Sequence, residues 1–183
     1  MMLDEIIDNA DWPKYKTIED PDYKYELLES FSSFLPEEPD HITHVTYRQK
    51  LNWNTIQLDY DLDFKGSGKL KPKLYIDKGY QWDGPSGPTL DLASWMRGPL
   101  IHDALYSLGR AGLLLRSDRK WADQMMLEIL LKDNIWVHEV KTKKEKILKF
   151  FHNIYVNLKA HSWYYGVRLF ARSSFAKDGK KKW

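Results

Sequence analysis

Histidine and aspartate stand side by side in the run Leu100-Ile101-His102-Asp103-Ala104-Leu105-Tyr106, and a further carboxylate, Asp123, follows on the next helical stretch. His102 and Tyr106 are four apart and share one helix face, while Asp103 points to a neighbouring one. If the two helices are antiparallel, Asp123 can bond one imidazole nitrogen and fix the tautomer, leaving the other nitrogen to take a proton from water. Upstream, Tyr80-Gln81-Trp82-Asp83-Gly84-Pro85-Ser86-Gly87-Pro88 is too rich in glycine and proline for regular helix and favours tight turns. Its carbonyls, with Trp82, Gly84 and Gly87 as candidates, suit a hard cation such as calcium, which Asp103 would also hold. Such a cation polarises an ester carbonyl and stabilises its oxyanion, so these are the parts of a metal-assisted ester hydrolase that needs no Ser or Cys nucleophile. The same residues would equally make a buried polar network that fixes how two helices meet the loop, and spacing leaves both readings open.

The elements that must position these groups form an α+β pattern: a small antiparallel sheet or hairpin followed by a helical half of three or more helices, with an irregular acidic N-terminal arm. Three segments are expected. Residues 1–41 are broken by Pro13, Pro21, Pro36 and Pro39 and read as the arm, with one short helix near Tyr23 to Phe34. Residues 42–137 hold the hairpin and the two-helix core; residues 138–183 hold a long basic amphipathic helix and a tail. In the hairpin, Ile56, Leu58, Tyr60, Leu62 and Phe64 alternate with polar residues, Gly66 and Gly68 supply a turn, and Leu70 to Lys78 returns, with Pro72 suggesting an edge strand. The row Asp59, Asp61, Asp63 has the opening spacing of a calcium-binding loop but lacks its later glycine and glutamate, and reads as the solvated face of a strand.

Further on, Gly98-Pro99 is expected to break a short helix over Asp91 to Arg97 from a second one starting at Pro99. Ser117 or Asp118 can cap the next helix, which runs to about Lys132 with Ala122, Met126, Ile129 and Leu130 on one apolar stripe; Asp123 borders that stripe and needs a partner if buried. The long helix places Ile147, Phe151, Ile154, Tyr155, Leu158, Tyr165 and Leu169 along one side with lysines around the other. The histidines His41, His44, His138, His152 and His161 read as surface or packing residues.

With 183 residues, 43% hydrophobic and 30% charged, the composition is that of a globular protein with a real core. The absence of cysteine excludes disulfides and thiolate metal sites. No apolar run approaches the roughly 20 residues of a membrane span, and Asp4 and Glu5 stand where a signal peptide would be basic. The net charge of +2 is unevenly spread: residues 1–63 hold 5 basic and 15 acidic side chains, residues 64–137 hold 11 and 8, and residues 138–183 hold 12 and 3. Such polarity suits a chain that clamps its own ends or packs against copies or partners.

The loop Asp83-Gly84-Pro85-Ser86-Gly87-Pro88, the helix run His102-Asp103-Ala104-Leu105-Tyr106 and the run Arg119-Lys120-Trp121-Ala122-Asp123 together resemble the signature of a bacteriophage and prophage domain family of unknown function, over roughly residues 42–133. That resemblance implies a virion or host-cytoplasm setting. The same residues resemble, more distantly, the cysteine-free phospholipase A2 site of parvoviral capsid proteins. It implies His102 as general base, Asp103 as calcium ligand, Asp123 as the orienting carboxylate and Tyr106 as a supporting hydrogen bonder, with phospholipid as substrate. The rival reading is a non-catalytic virion component that contacts other virion proteins or copies of itself. A nucleic-acid role through the basic segment with Trp163, Tyr164 and Tyr165 stands third, for no recognition motif accompanies it.

Overall fold

The computed structural model describes residues 12–35, 50–53, 55–62, 70–84 and 93–175. The chain divides into two compact units, residues 1–84 and 85–183. All described strands lie in the first and all described helices in the second, an α+β arrangement. The long helix expected from residue 138 onward thus shares a unit with the two helices before it.

In the first unit, β1 (Tyr15–Thr17), β2 (Tyr25–Leu27) and β7 (Gln81–Trp82) form one antiparallel sheet in the order β1-β2-β7. A second antiparallel sheet has the order β3-β6-β5-β4, from β3 (Phe31–Phe34), β4 (Lys50–Trp53), β5 (Ile56–Leu62) and β6 (Leu70–Ile76). The expected hairpin is β5 on β6, and its register pairs Ile56 with Ile76 and Leu58 with Leu74, all four buried, while Gln57 opposite Tyr75 is half-buried. Period-two alternation thus puts one row of aliphatic side chains on the core face. Asp59 and Asp61 lie on β5 at positions paired with Lys73 and Lys71, so opposite charges share a register; Asp63 lies outside the described residues.

Two expectations are corrected here. The segment read as an arm with a helix near Tyr23 to Phe34 forms β2 and β3 instead, because Tyr25, Leu27 and Phe31 bury their side chains at strand spacing. Pro72 is on β6, which runs between β3 and β5 and is not an edge strand. Proline is tolerated because the β3 ladder runs only from Phe31 opposite Ile76 to Phe34 opposite Lys73, so among the described residues nothing pairs with Pro72 on that side.

The second unit opens with a single 3-10 turn over Ala93–Trp95, then α1 (Arg97–Arg110), α2 (Arg119–Asp133), α3 (Lys143–Phe170) and the short α4 (Arg172–Phe175). Gly98-Pro99 does not break a helix but lies in the first turn of α1. There the missing N–H of Pro99 costs nothing, since the first bond of the turn is donated by Leu100 to the Met96 carbonyl. At the other end of α1, Leu113 N–H bonds Leu108 carbonyl and Gly112 N–H bonds Gly109 carbonyl, with Gly112 at φ 75°. This is a Schellman stop, and the left-handed residue it needs is the glycine.

A 3-10 turn over Arg116–Asp118 then leads into α2, and the Asp118 carboxylate accepts the Leu115 N–H at 2.7 Å. Helix α2 returns antiparallel to α1: Arg97 at the start of α1 forms a two-pronged ion pair with Asp133 at the end of α2. Helix α3 begins with a capping box, Thr142 Oγ1 accepting from Glu145 N–H and Glu145 accepting from Thr142 N–H. It packs on α2 through Val156 and Ala160 against Met126, Leu130 and Trp95, flanked by Trp163 and Val167. The apolar stripe from Ile147 to Leu169 is exposed along its length, so it does not pack within the unit. The packed face uses small side chains because they let α3 approach α2 closely. No helix among the described residues is long and apolar enough to cross a membrane.

Candidate functional site

Within the second unit, His102, Tyr106 and Asp123 come together as the sequence suggests. Asp123 on α2 is fully buried, with His102 Nε2 3.0 Å from its Oδ1 and Tyr106 Oη donating to the same oxygen at 2.6 Å. The rings of His102 and Tyr106 lie one turn apart on α1 with centroids 4.0 Å apart. The other oxygen, Oδ2, accepts from Arg168 Nη1 of α3 at 2.8 Å, and Arg119 Nε stands 3.9 Å from it. Arg119 also donates to Tyr106 Oη at 3.2 Å and, through Nη2, to the carbonyls of Val167 and Arg168 at 2.7 Å each. A single carboxylate therefore ties α1 and α3 to α2.

Sequence reasoning did not find Arg168. It stands 45 residues from Asp123 on a helix whose lysines and arginines read as a solvated face. The available signal was the requirement that a buried carboxylate have a cation nearby. Asp133, the partner of Arg97, was missed in the same way, since the register of the antiparallel pair selects it.

Electrostatics follow from this geometry. Burial opposes charging of His102, but its hydrogen bonds to Asp103 and Asp123 outweigh burial and hold the imidazole above its ordinary value. Burial likewise opposes the charge on Asp123, yet His102, Tyr106 and Arg168 bring its carboxyl below the usual aspartate value. Burial and the neighbouring Asp123 anion push the Tyr106 phenol well up, so it remains a hydrogen-bond donor. Arg168 is raised, chiefly by its hydrogen bond to Asp123.

Asp103 turns its Oδ1 toward His102 Nδ1 at 3.3 Å, so both ring nitrogens face a carboxylate. A protonated imidazole donates from both nitrogens and has no lone pair left for a water proton. His102 is itself buried. The arrangement suits a charged, doubly anchored histidine more than a general base.

The calcium ligands suggested by the sequence can be checked in part. Trp82 lies in β7; its carbonyl accepts from Lys24 N–H at 3.1 Å, and its ring packs against Tyr15, Tyr25 and Tyr80. Gly84, at φ 73°, is glycine because a Cβ there would lie 2.2 Å from the Tyr25 ring. Both belong to the first unit, Asp103 belongs to the second, and Gly87 lies outside the described residues. Asp103 Oδ2 is enclosed without a hydrogen-bond partner among the described residues. Calcium takes six to eight oxygens, and the neighbour of this carboxylate is His102, whose Nδ1 faces its other oxygen. Among the described residues no group of three or more His, Cys, Asp or Glu side chains is placed to hold a metal ion.

In comparisons with protein-family models, curated proteins and solved structures, nothing matches this chain.

Proposed function

We propose that the chain is a non-catalytic structural component in which the His102, Tyr106, Asp123, Arg119 and Arg168 network sets the relative position of three helices. The resemblance to the phage and prophage domain family suggests a virion, with other virion proteins or copies of this chain as partners. One observation carries the reading: both nitrogens of His102 face carboxylates, and the carboxylate it would need as an orienting group is already shared with α3. A site built to move protons keeps one nitrogen open to a reactant; a site built to hold helices uses every donor.

The test compares the wild type with His102→Gln in two assays. Purified wild type is expected to release no fatty acid from phospholipid vesicles at any calcium level, and His102→Gln is expected to lower the thermal midpoint. Calcium-dependent release by the wild type, abolished in a folded His102→Gln protein, would overturn the structural reading.

A further inference from the structure

Helix α3 has two apolar faces, and only one is covered within its unit. Val156, Ala160, Trp163 and Val167 pack toward α2 and Trp95. About half a turn around the helix, at 3.6 residues per turn, lie Ile147, Phe151, Ile154, Leu158, Tyr165 and Leu169, exposed by 40 to 73%. Phe150 and Leu148 widen this band at its N-terminal end and are exposed as well. The band spans about 33 Å at 1.5 Å per residue. Lone exposed apolar side chains are ordinary, but a row of this length, interrupted at His161 and Ser162, marks a contact surface.

Charge says what covers it. Ile147, Leu158 and Leu169 are eleven apart, as are Ile154 and Tyr165. Ile147 and Ile154 are also seven apart, as are Phe151, Leu158 and Tyr165, so the spacing suits a flat surface and a second helix alike, and charge decides between them. Lys143, Lys144 and Lys146 are exposed beside the row at the N-terminal end of α3, and Glu145 is the one acidic residue between 143 and 170. Pairing of this face with itself would set these lysines near one another when parallel and, with Ile147 opposite Leu169, near the exposed Arg172 when antiparallel, cation against cation either way. Nor does the acidic first unit of another copy offer a matching row, for among its described residues the large exposed apolar side chains are Trp12, Leu28 and Phe34. A straight apolar band with aromatic members and a cationic rim has the make-up of a helix that lies in the plane of a bilayer surface. Since α3 is not apolar enough to span, it would lie along that surface.

The geometry points to the outward face of α3, from Ile147 to Leu169, as a docking surface for an anionic lipid bilayer, with Ile147, Phe151, Ile154 and Leu158 entering the interface and Lys143, Lys144 and Lys146 meeting the headgroups. It is independent of the role given to His102 and Asp123.

Co-sedimentation of the full chain with vesicles of phosphatidylcholine, alone or mixed with phosphatidylglycerol, tests it. Binding to the mixed vesicles is expected to exceed binding to phosphatidylcholine alone by on the order of tenfold or more and to weaken with added salt. The double variant Phe151→Asp with Leu158→Asp, at exposed positions, is expected to weaken binding by more than about tenfold with an unchanged thermal midpoint. Lys143→Glu with Lys144→Glu, which leaves the apolar row intact, is expected to remove the preference for the anionic lipid. A wild-type chain that stays in the supernatant with both vesicle types overturns the proposal. So does a vesicle-free dimer, seen by analytical ultracentrifugation, that Phe151→Asp with Leu158→Asp dissociates, because the face would then be covered by a second copy.

Discussion

The two oxygens of Asp123 hold His102, Tyr106 and Arg168, and none of its surface reaches solvent. Asp123→Ala strands these donors in a buried setting, and breaking a buried pair by removing one partner costs about 3–5 kcal/mol. Denaturant unfolding of the variant is expected to show a loss of that size. Stability should also depend on pH in a way traceable to one ring. His102 titrates above 6.5 in the folded chain, so its contribution is complete below 6.5 and is lost as pH rises through the folded value. Asp123 runs the other way: its contribution is complete above 3.8 and is lost as pH falls through its lowered folded value. The thermal midpoint is therefore expected to fall as pH is raised from about 6 toward 9, and His102→Gln should flatten that decline. The pairing of His102 with Asp123 was legible in the sequence, because four-residue spacing and a short connection place them across one helix pair. The occupancy of both ring nitrogens was not, since it depends on the rotamer of the adjacent Asp103.

At the scale of elements, local chemistry was readable wherever it is short-ranged. The β5-β6 hairpin follows from strict alternation and α2 follows from its apolar stripe, whereas the stop at Gly112 that ends α1 was not singled out. That last point has a direct measure: Gly112 sits at φ 75°, where any L side chain costs about 1–2 kcal/mol, so Gly112→Ala should lose roughly that much stability in denaturant unfolding. Elements whose pattern is ambiguous were read wrongly for identifiable reasons. Residues Tyr25 to Phe34 alternate over only three or four positions at a time, too few to separate strand from helix. Helix α3 has two apolar faces, and the one with larger side chains looks like core by hydrophobicity alone. What decides is the closeness of the α2 contact, which Val156 and Ala160 permit and Phe151 or Leu158 would not. With the cation-bearing side of α3 read as solvated, Arg168 fell among the solvated cations, and the third helix of the network was lost with it.

Across the whole molecule, the boundary at Gly84 is also a boundary of charge. The first unit holds 10 basic and 17 acidic side chains, the second 18 and 9, for net charges of −7 and +9. The near-neutral total conceals two strongly charged halves, and ionic strength should therefore affect the contacts of this protein with other molecules more than a net charge of +2 suggests. Removing the C-terminal segment from Val167 onward takes away both the cation on Asp123 and the carbonyls that Arg119 grips. Such a truncation is expected to lower the thermal midpoint at least as far as Asp123→Ala does, as a calorimetric scan would read.

The distance along the chain between Asp123 and Arg168 has a consequence for biosynthesis. A ribosome delivers α1 and α2 first, with the carboxylate and its partners His102 and Tyr106 between them, and reaches Arg168, which bonds the second oxygen, only 45 residues after Asp123. Until then Oδ2 of Asp123 lacks its guanidinium, and the helix pair lacks the cover that α3 gives that oxygen. Nascent chains arrested just short of Arg168 and just beyond it should therefore differ sharply in resistance to protease, with compaction of the helical half arriving in one late step.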